Sequence, residues 1–419
     1  MRVGINALAL SPGVVGGAET YIRGLLHGLE RLNTGDEYIV FTNRDNHETF
    51  AVQDENFRRI RLNAPASWDI RSLIMTRVIG EQLWLPRIAA RERVDVLHSP
   101  LDSIPLAARC ATVMTLHDLN FEAFPETNNR AERSIARALV KASARRASAI
   151  ITVSRFSHRT ILNDLKVAPE RLFMVHNGGP VPLAAHHSTN NGNWSACAAR
   201  MGINGQYVLA LSSLNSHKNI DTLIRAFGAV RAAQDCQLIV AGHLPKSKPT
   251  LPELSNSLGL GRKTIFTGYL DAEELRQLMR HARLFAFPSR YEGFGLPVIE
   301  AMSEGIPVIS SNAAALPEIA ADAAIFVDPL SPDQMTKAIE RVLSDDALRQ
   351  RLRAAGRRNA GRFSWERTAM LSSRVYRYAA GVRADPVEAG DGAALLGTQA
   401  KEMAEEETTG GRLVADGSE

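Results

Sequence analysis

Cysteine is scarce in this chain: three residues, Cys110, Cys197 and Cys236, in 419. They lie far apart and no CxxC pair occurs, which argues against a disulfide framework or a zinc site and suits a reducing cytoplasm. Apolar runs are short; none approaches the ~18–20 residues of a membrane-spanning helix. The opening MRVGINALAL is followed by SPGVVGGAETY in place of a signal-cleavage site, so it reads as a first buried strand. Aromatics are few, 6%. Acids are nearly missing between Arg130 and Arg159, where Glu132 alone opposes Arg130, Arg133, Arg137, Lys141, Arg145, Arg146, Arg155 and Arg159. Large apolar residues are thin after about Ala384. That acidic tail, 384–419, is expected to be disordered.

What is present is ordinary for a globular protein: 45% hydrophobic, 22% charged, and a length that suits two domains at about 150 residues each. Strand-like runs alternate with helical periodicity. RVGINALAL, EYIVFTN, VDVLHSP, TVMTLHDL, AIITVS and RLFMVHNG read as strands in the first half. Helical patterns lie between them, including one from Arg71 to Arg93. The alternation pauses in a segment rich in Gly, Pro and Asn. It restarts with YVLALSS, CQLIVAGH, KTIFTGYL, RLFAFPS, IPVISSN and AIFVDP. Asp271 with Glu274 forms a capping box, and Ser364 caps a last helix. The expected fold is α/β, with two doubly wound, Rossmann-like parallel domains facing across a cleft. The expected boundaries are residues 1–185, a linker 186–205, residues 206–365, and a helix 366–383 returning towards the first domain.

Ligands of such sheets bind outside the carboxyl ends of the strands. The loop after the first strand carries Gly16 and Gly17 before a helix. It reads equally as a surface turn and as a backbone cradle for an anion. It is not G-x-G-x-x-G, which weakens a nicotinamide-dehydrogenase reading. The strongest signal is Pro288-Ser289-Arg290-Tyr291-Glu292-Gly293-Phe294-Gly295-Leu296-Pro297-Val298-Ile299-Glu300. Here Pro297 suits the first helical position, and the helix N-terminus offers N–H groups and a positive dipole to a diphosphate. Glu292 and Glu300 can reach one ligand and accept hydrogen bonds from paired sugar hydroxyls. Lys218, flanked by His217 and Asn219, is either a solvated loop lysine or a phosphate cation. His117 and Asp118 end a strand facing the cleft. His98 fits a cleft or a structural role, and His176 is expected to set the Asn177-Gly178 turn. His186 and His187 are expected to be solvated, with no metal site. The basic helix from Arg130 to Arg146 is a solvated face or a surface for an anionic partner. An acidic membrane suits it. Nucleic acid does not, since no stacking aromatics interleave the arginines.

With these motifs in place, the chain resembles the family-4 retaining glycosyltransferases of GT-B fold over roughly residues 1–380. The E-x7-E signature, Glu292 to Glu300, carries the resemblance. Gly16-Gly17, Thr115-Leu116-His117-Asp118-Leu119, Val153-Ser154-Arg155-Phe156-Ser157, His176-Asn177-Gly178, Lys218 and Gly268-Tyr269-Leu270 support it. The resemblance implies that Glu292 and His117 meet the donor sugar, Glu300 the ribose and Lys218 the diphosphate. Gly16 and Gly17 would line the phosphate and acceptor side, Gly293, Phe294, Gly295 and Leu296 the donor site, and Leu270 the nucleobase. It also implies that no metal or other cofactor is needed. Many relatives carry an arginine five residues before the lysine, where Ser213 stands. Another branch carries it just before the lysine, where His217 stands. His117-Asp118-Leu119-Asn120-Phe121 and Phe124-Pro125-Glu126 are similar to bacterial surface-polysaccharide enzymes, mannosyltransferases among them.

The expected function is transfer of a hexose from a nucleoside-diphosphate sugar, GDP-mannose or a UDP-sugar, to a hydroxyl acceptor with retention. The acceptor would be lipid-linked or an oligosaccharide. The protein is expected in the cytoplasm, with peripheral contact on the inner face of the membrane. A nucleotide-sugar epimerase and a non-catalytic sugar-nucleotide-binding subunit are the alternatives.

Overall fold

The computed structural model describes residues 1–12, 16–50, 54–62, 76–120, 130–180, 194–233, 235–245 and 249–382. Short apolar runs form the strands, because a strand covered on both faces has no wet side to mark with polar residues. The first sheet contains β1 (Arg2–Asn6), β2 (Glu37–Thr42), β3 (Phe57–Arg61), β4 (Val96–Ser99), β5 (Ala111–Thr115), β6 (Ala149–Thr152) and β7 (Leu172–Met174). The second contains β8 (Gln206–Ser212), β9 (Cys236–Gly242), β10 (Thr264–Gly268), β11 (Leu284–Phe287), β12 (Val308–Ser311) and β13 (Ala324–Val327). All pairings are parallel, in the orders β3-β2-β1-β4-β5-β6-β7 and β10-β9-β8-β11-β12-β13. In each sheet the first three strands run outward to one side, and the chain then returns to the other side of the first strand. Crevices open between β1 and β4 and between β8 and β11, where ligands of such sheets sit.

The helices among the described residues are α1 (Gly17–Leu32), α2 (Leu85–Arg91), α3 (Arg130–Arg146), α4 (Arg155–Leu165), α5 (Trp194–Met201), α6 (Ile220–Ala229), α7 (Leu251–Ser257), α8 (Ala272–His281), α9 (Leu296–Ser303), α10 (Leu316–Ala320), α11 (Pro332–Ser344), α12 (Asp346–Ala360) and α13 (Trp365–Ala379). The capping box of α8 is formed: Asp271 Oδ1 accepts from Glu274 N at 2.8 Å and Asp271 N donates to Glu274 Oε2 at 3.2 Å. Ser364 Oγ accepts from Arg367 N at 3.2 Å and caps α13.

Three expectations need correction. β3, FRRIR, was not foreseen as a strand because Arg58, Arg59 and Arg61 mask its apolar pattern; as an edge strand it buries little beyond Phe57. The expected linker 186–205 includes the helix α5, whose Trp194 stacks on His281 with ring centroids 4.2 Å apart. The helix expected from Arg71 to Arg93 is, over its described part, a run of wide π-type turns (Thr76–Trp84) leading into α2. Residues 181–193, with His186 and His187, and the tail after 382 lie outside the described residues.

After leaving the second sheet the chain crosses back, and α13 packs on α1, β5 and β6 of the first. Its anchor is Trp365, 3% exposed, whose Nε1 donates to Gly179 O at 2.7 Å. The indole lies against Gly24 and Gly178, where any Cβ would collide with it, and a Cβ at Gly28 would collide with the Trp365 backbone. Buried apolar contacts run continuously from the first sheet through Trp365 and Phe363 to Phe294 and α9.

Candidate active site between the two sheets

The loops at the two crevices face each other. Gly16, at φ 55°, opens α1, and a Cβ at Gly17 would stand 3.7 Å from Leu296 at the start of α9. The α9 loop turns on Gly295, at φ 102°, a left-handed conformation that a side chain resists. The helix begins at Leu296, so Pro297 is its second residue, one later than expected. Gly293 presses on the first domain, where a Cβ would meet the His117 carbonyl at 2.5 Å and Asp118 Cβ at 2.9 Å. Ser157 Oγ sits at this contact, 2.8 Å from His117 O and 3.3 Å from Gly293 O.

Lys218 and Glu292 form the centre. Lys218 Nζ donates to Glu292 Oε1 at 2.6 Å, and Ser289 Oγ donates to the same oxygen, also at 2.6 Å. Both charged side chains are largely buried, 17% and 14% exposed. The ammonium also lies 5.0 Å from the centre of the Phe287 ring, a favourable cation–π placement. Glu292 Oε2 has no hydrogen-bond partner among the described residues and so keeps its capacity to accept.

Two further carboxyls are poised near neutrality. Burial alone raises Glu300 to about 7, and no side-chain partner satisfies it among the described residues. Burial likewise raises Asp118 to about 7, against the opposing N–H of Asn120 and with help from Asp102 and Glu292. Asp118 Oδ1 accepts from Asn120 N at 2.9 Å. His117 donates through Nε2 to Pro100 O at 3.1 Å, and the Tyr21 ring stands edge-on to it at 4.8 Å. Burial lowers its pKa against the pull of Asp102 and the Pro100 carbonyl. The imidazole is thus neutral, with Nδ1 left as an acceptor.

Of the residues singled out in the sequence, Gly16, Gly17, Lys218, Glu292, Gly293, Gly295 and His117 converge at the facing loops. Glu300 lies on α9, which leads from the same loop. Ser213 Oγ, at the end of β8, accepts from Asn215 N at 3.2 Å and so shapes the Lys218 loop. Leu270 is half-buried just beyond β10, beside the exposed Tyr269. Phe294 and Leu296, expected to line the donor site, lie in the same loop and at the start of α9. Their side chains are 4% and 7% exposed. Phe294 packs against Phe363 and His176, whereas the Leu296 side chain borders Gly17 across the cleft.

His98 belongs to the core. It is fully buried, with Nε2 2.8 Å from Thr115 Oγ1 and Nδ1 2.7 Å from Tyr376 OH of α13. His176 reaches the second domain, with Nε2 2.8 Å from Glu318 Oε1. Sequence reasoning missed Glu318, whose oxygens also accept from Arg155 N at 3.0 and 2.9 Å at the start of α4. Ser157, Ser289 and Asn120 stood within the motifs but were given no role of their own. The pairing of Ser289 with a carboxylate three residues on was the one local cue available. No group of three or more His, Cys, Asp or Glu is arranged to hold a metal among the described residues.

This geometry of a lysine, a carboxylate pair and a helix N-terminus across a glycine loop has relatives. The model for "Glycosyl transferases group 1" matches residues 202–359, and that for "Glycosyltransferase Family 4" matches residues 15–179. The serotype-specific mannosyltransferase WbdA of Escherichia coli is 27% identical over 278 residues, 65% of this chain but 34% of that protein. This chain therefore spans about a third of the length of that relative. The O-antigen chain mannosyltransferase B of Escherichia coli is 29% identical over 297 residues, covering 69% of this chain and 76% of that one. The sucrose-phosphate synthase structure from Thermosynechococcus elongatus superposes with a TM-score of 0.70 at 22% identity, covering 90% of this chain and 98% of that chain. The two family models divide the chain at its two sheets, and the chain belongs to the group 1 and family 4 glycosyltransferases of GT-B fold.

Proposed function

We propose that this protein transfers a hexose from a nucleoside-diphosphate sugar to a hydroxyl acceptor with retention, in the assembly of a surface polysaccharide. The observation that carries this reading is the Lys218–Glu292 pair at 2.6 Å beside the N-terminus of α9. Lys218 and the helix N–H groups bind the diphosphate, and the free oxygen of Glu292 accepts sugar hydroxyls. Glu300 accepts the ribose hydroxyls, for which its partnerless carboxyl is suited. His117 borders the sugar on the facing side.

In the reaction the anomeric carbon–phosphate oxygen bond breaks and the acceptor oxygen bonds to the same face of that carbon. The acceptor proton passes to the departing phosphate, whose growing charge Lys218 and α9 stabilise. Glu292 is held by Lys218 and Ser289 and Asp118 by Asn120, so neither is aimed as a nucleophile. The relatives named as mannosyltransferases favour mannose, hence a GDP-mannose donor before a UDP-sugar. The same names favour a polysaccharide or lipid-linked acceptor. Arg137 and Ile135, both exposed on α3, support peripheral docking on an anionic membrane.

The test is a thermal-shift screen of GDP- and UDP-sugars, since a ligand that binds only the native state raises its stability. One nucleoside diphosphate should stabilise the wild type. Lys218→Ala should weaken its binding roughly tenfold to a hundredfold in calorimetry, the worth of a hydrogen bond to a charged group. Equal affinity in the variant would remove Lys218 from the site.

A further inference from the structure

His217 stands where, by the resemblance drawn from the sequence, one branch carries its second phosphate cation, and the structure gives it a different task. Its side chain is 4% exposed, and burial drops its pKa to about 4. A neutral imidazole has one N–H and one lone pair, and its partners decide which nitrogen holds the proton. Across the cleft, Asn120 places Nδ2 3.2 Å from His217 Nδ1. An amide nitrogen only donates, so Nδ1 accepts and the proton rests on Nε2. Nε2 lies 3.9 Å from Glu292 Oε1, the oxygen that Lys218 holds. The His217 backbone is tied to the same loop, its carbonyl accepting from Arg290 N at 2.8 Å. The anchored ring thus has its proton placement set by Asn120.

We propose that Asn120 is a positioning residue: reaching from the first domain, it fixes the Nε2–H tautomer of His217 and so presents a neutral N–H beside Lys218 and Glu292 to the donor diphosphate. The inference rests on the donor-binding reading of this cleft. The contact joins two domains, so the His217 donor is set only when they are together. Closure and competence are thereby linked, and departing-phosphate charge is met by a fixed dipole in addition to Lys218.

The tautomer is read directly by long-range proton–nitrogen correlation spectra of protein labelled with ¹⁵N-histidine, with His217 assigned by its loss in His217→Gln. The wild type should show the Nε2–H pattern. Asn120→Leu keeps the bulk without the donor and should show mixed tautomers. Asn120→Asp offers an acceptor and should move the proton to Nδ1. With a turnover assay in hand, Asn120→Leu should lower kcat roughly tenfold, the worth of one hydrogen bond, while KM for the donor changes less. A wild-type Nδ1–H or imidazolium pattern, or an unchanged pattern in Asn120→Asp, overturns the tautomer assignment. A changed tautomer with unchanged kcat overturns the positioning role. Failure of the wild type to bind any nucleoside diphosphate in calorimetry would strike the donor reading itself, and the spectra would still judge the tautomer.

Discussion

Glu300, proposed above to accept the ribose hydroxyls, shows how a buried carboxyl burdens the folded protein. Burial raises its pKa from 4.5 to about 7, with no polar partner to offset it. Between those values the folded protein keeps a proton that the unfolded chain has released. Stability therefore falls as pH rises through that window, and the deficit is complete above the folded pKa. Glu300→Gln should raise the ligand-free Tm at about pH 8, by on the order of 2 kcal/mol of stability, and should converge with the wild type near the unfolded value. Nucleoside diphosphate affinity should move the other way, rising in the wild type from about pH 6 to 8 as the carboxylate becomes the better acceptor. A lower Tm for the variant at about pH 8 would refute this account of the site. The E-x7-E spacing marked Glu300 as a ligand residue. Its raised pKa was not legible, because the walls that desolvate it come from folding.

At the scale of elements, the two domains meet through a borrowed cap. Glu318, on the short helix α10 of the second domain, accepts the N–H groups of Arg155 and Phe156 at the start of α4 in the first. Burial works against its charge, but His176 and these N–H groups hold its pKa below the ordinary carboxylate range. Such a group contributes stability above the unfolded pKa and loses it as pH falls through the folded one. Glu318→Ala should cost about 1–2 kcal/mol in urea unfolding at neutral pH, the range of a helix cap, and less as the medium becomes more acidic than the folded pKa. A penalty independent of pH would reduce Glu318 to packing. The cap on α8 was readable because Asp271 and Glu274 are three residues apart. The distant acceptor at the start of α4 was not: Ser154 caps that helix locally, accepting from Ser157 N at 3.0 Å, but Glu318 lies 163 positions away in the chain.

For the whole molecule, the cleft supplies its own positive field through Lys218 and α9. Transfer should therefore survive EDTA, and loss of activity restored by manganese or magnesium would overturn that expectation. Outside the cleft, the sequence of α3 carries Arg133, Arg137 and Lys141 at four-residue intervals. Val140 turns inward at 3% exposure, whereas Ile135 is 62% exposed. Each basic residue near an anionic surface contributes ~1 kcal/mol. Binding to anionic vesicles should thus fall at high salt and drop when these three become Gln. Equal sedimentation with neutral vesicles would show the face to be merely solvated. No helix among the described residues is long and apolar enough to cross a membrane.

The sequence by itself determined the architecture and marked a candidate site. Apolar runs at strand length, alternating with helical periods, admit little but two parallel sheets. Glycine-bracketed loops at their carboxyl ends marked Gly16, Gly17, Lys218 and Glu292. Tertiary structure decided what those residues touch. Only folding could set His98 against Tyr376, 278 positions along, or turn Phe294 inward. The same holds for Asn120 and His217, residues of separate domains. Periodicity and spacing record the neighbours of a residue along its own element. The partners and desolvation that set a tautomer or a pKa come from segments far away in the chain.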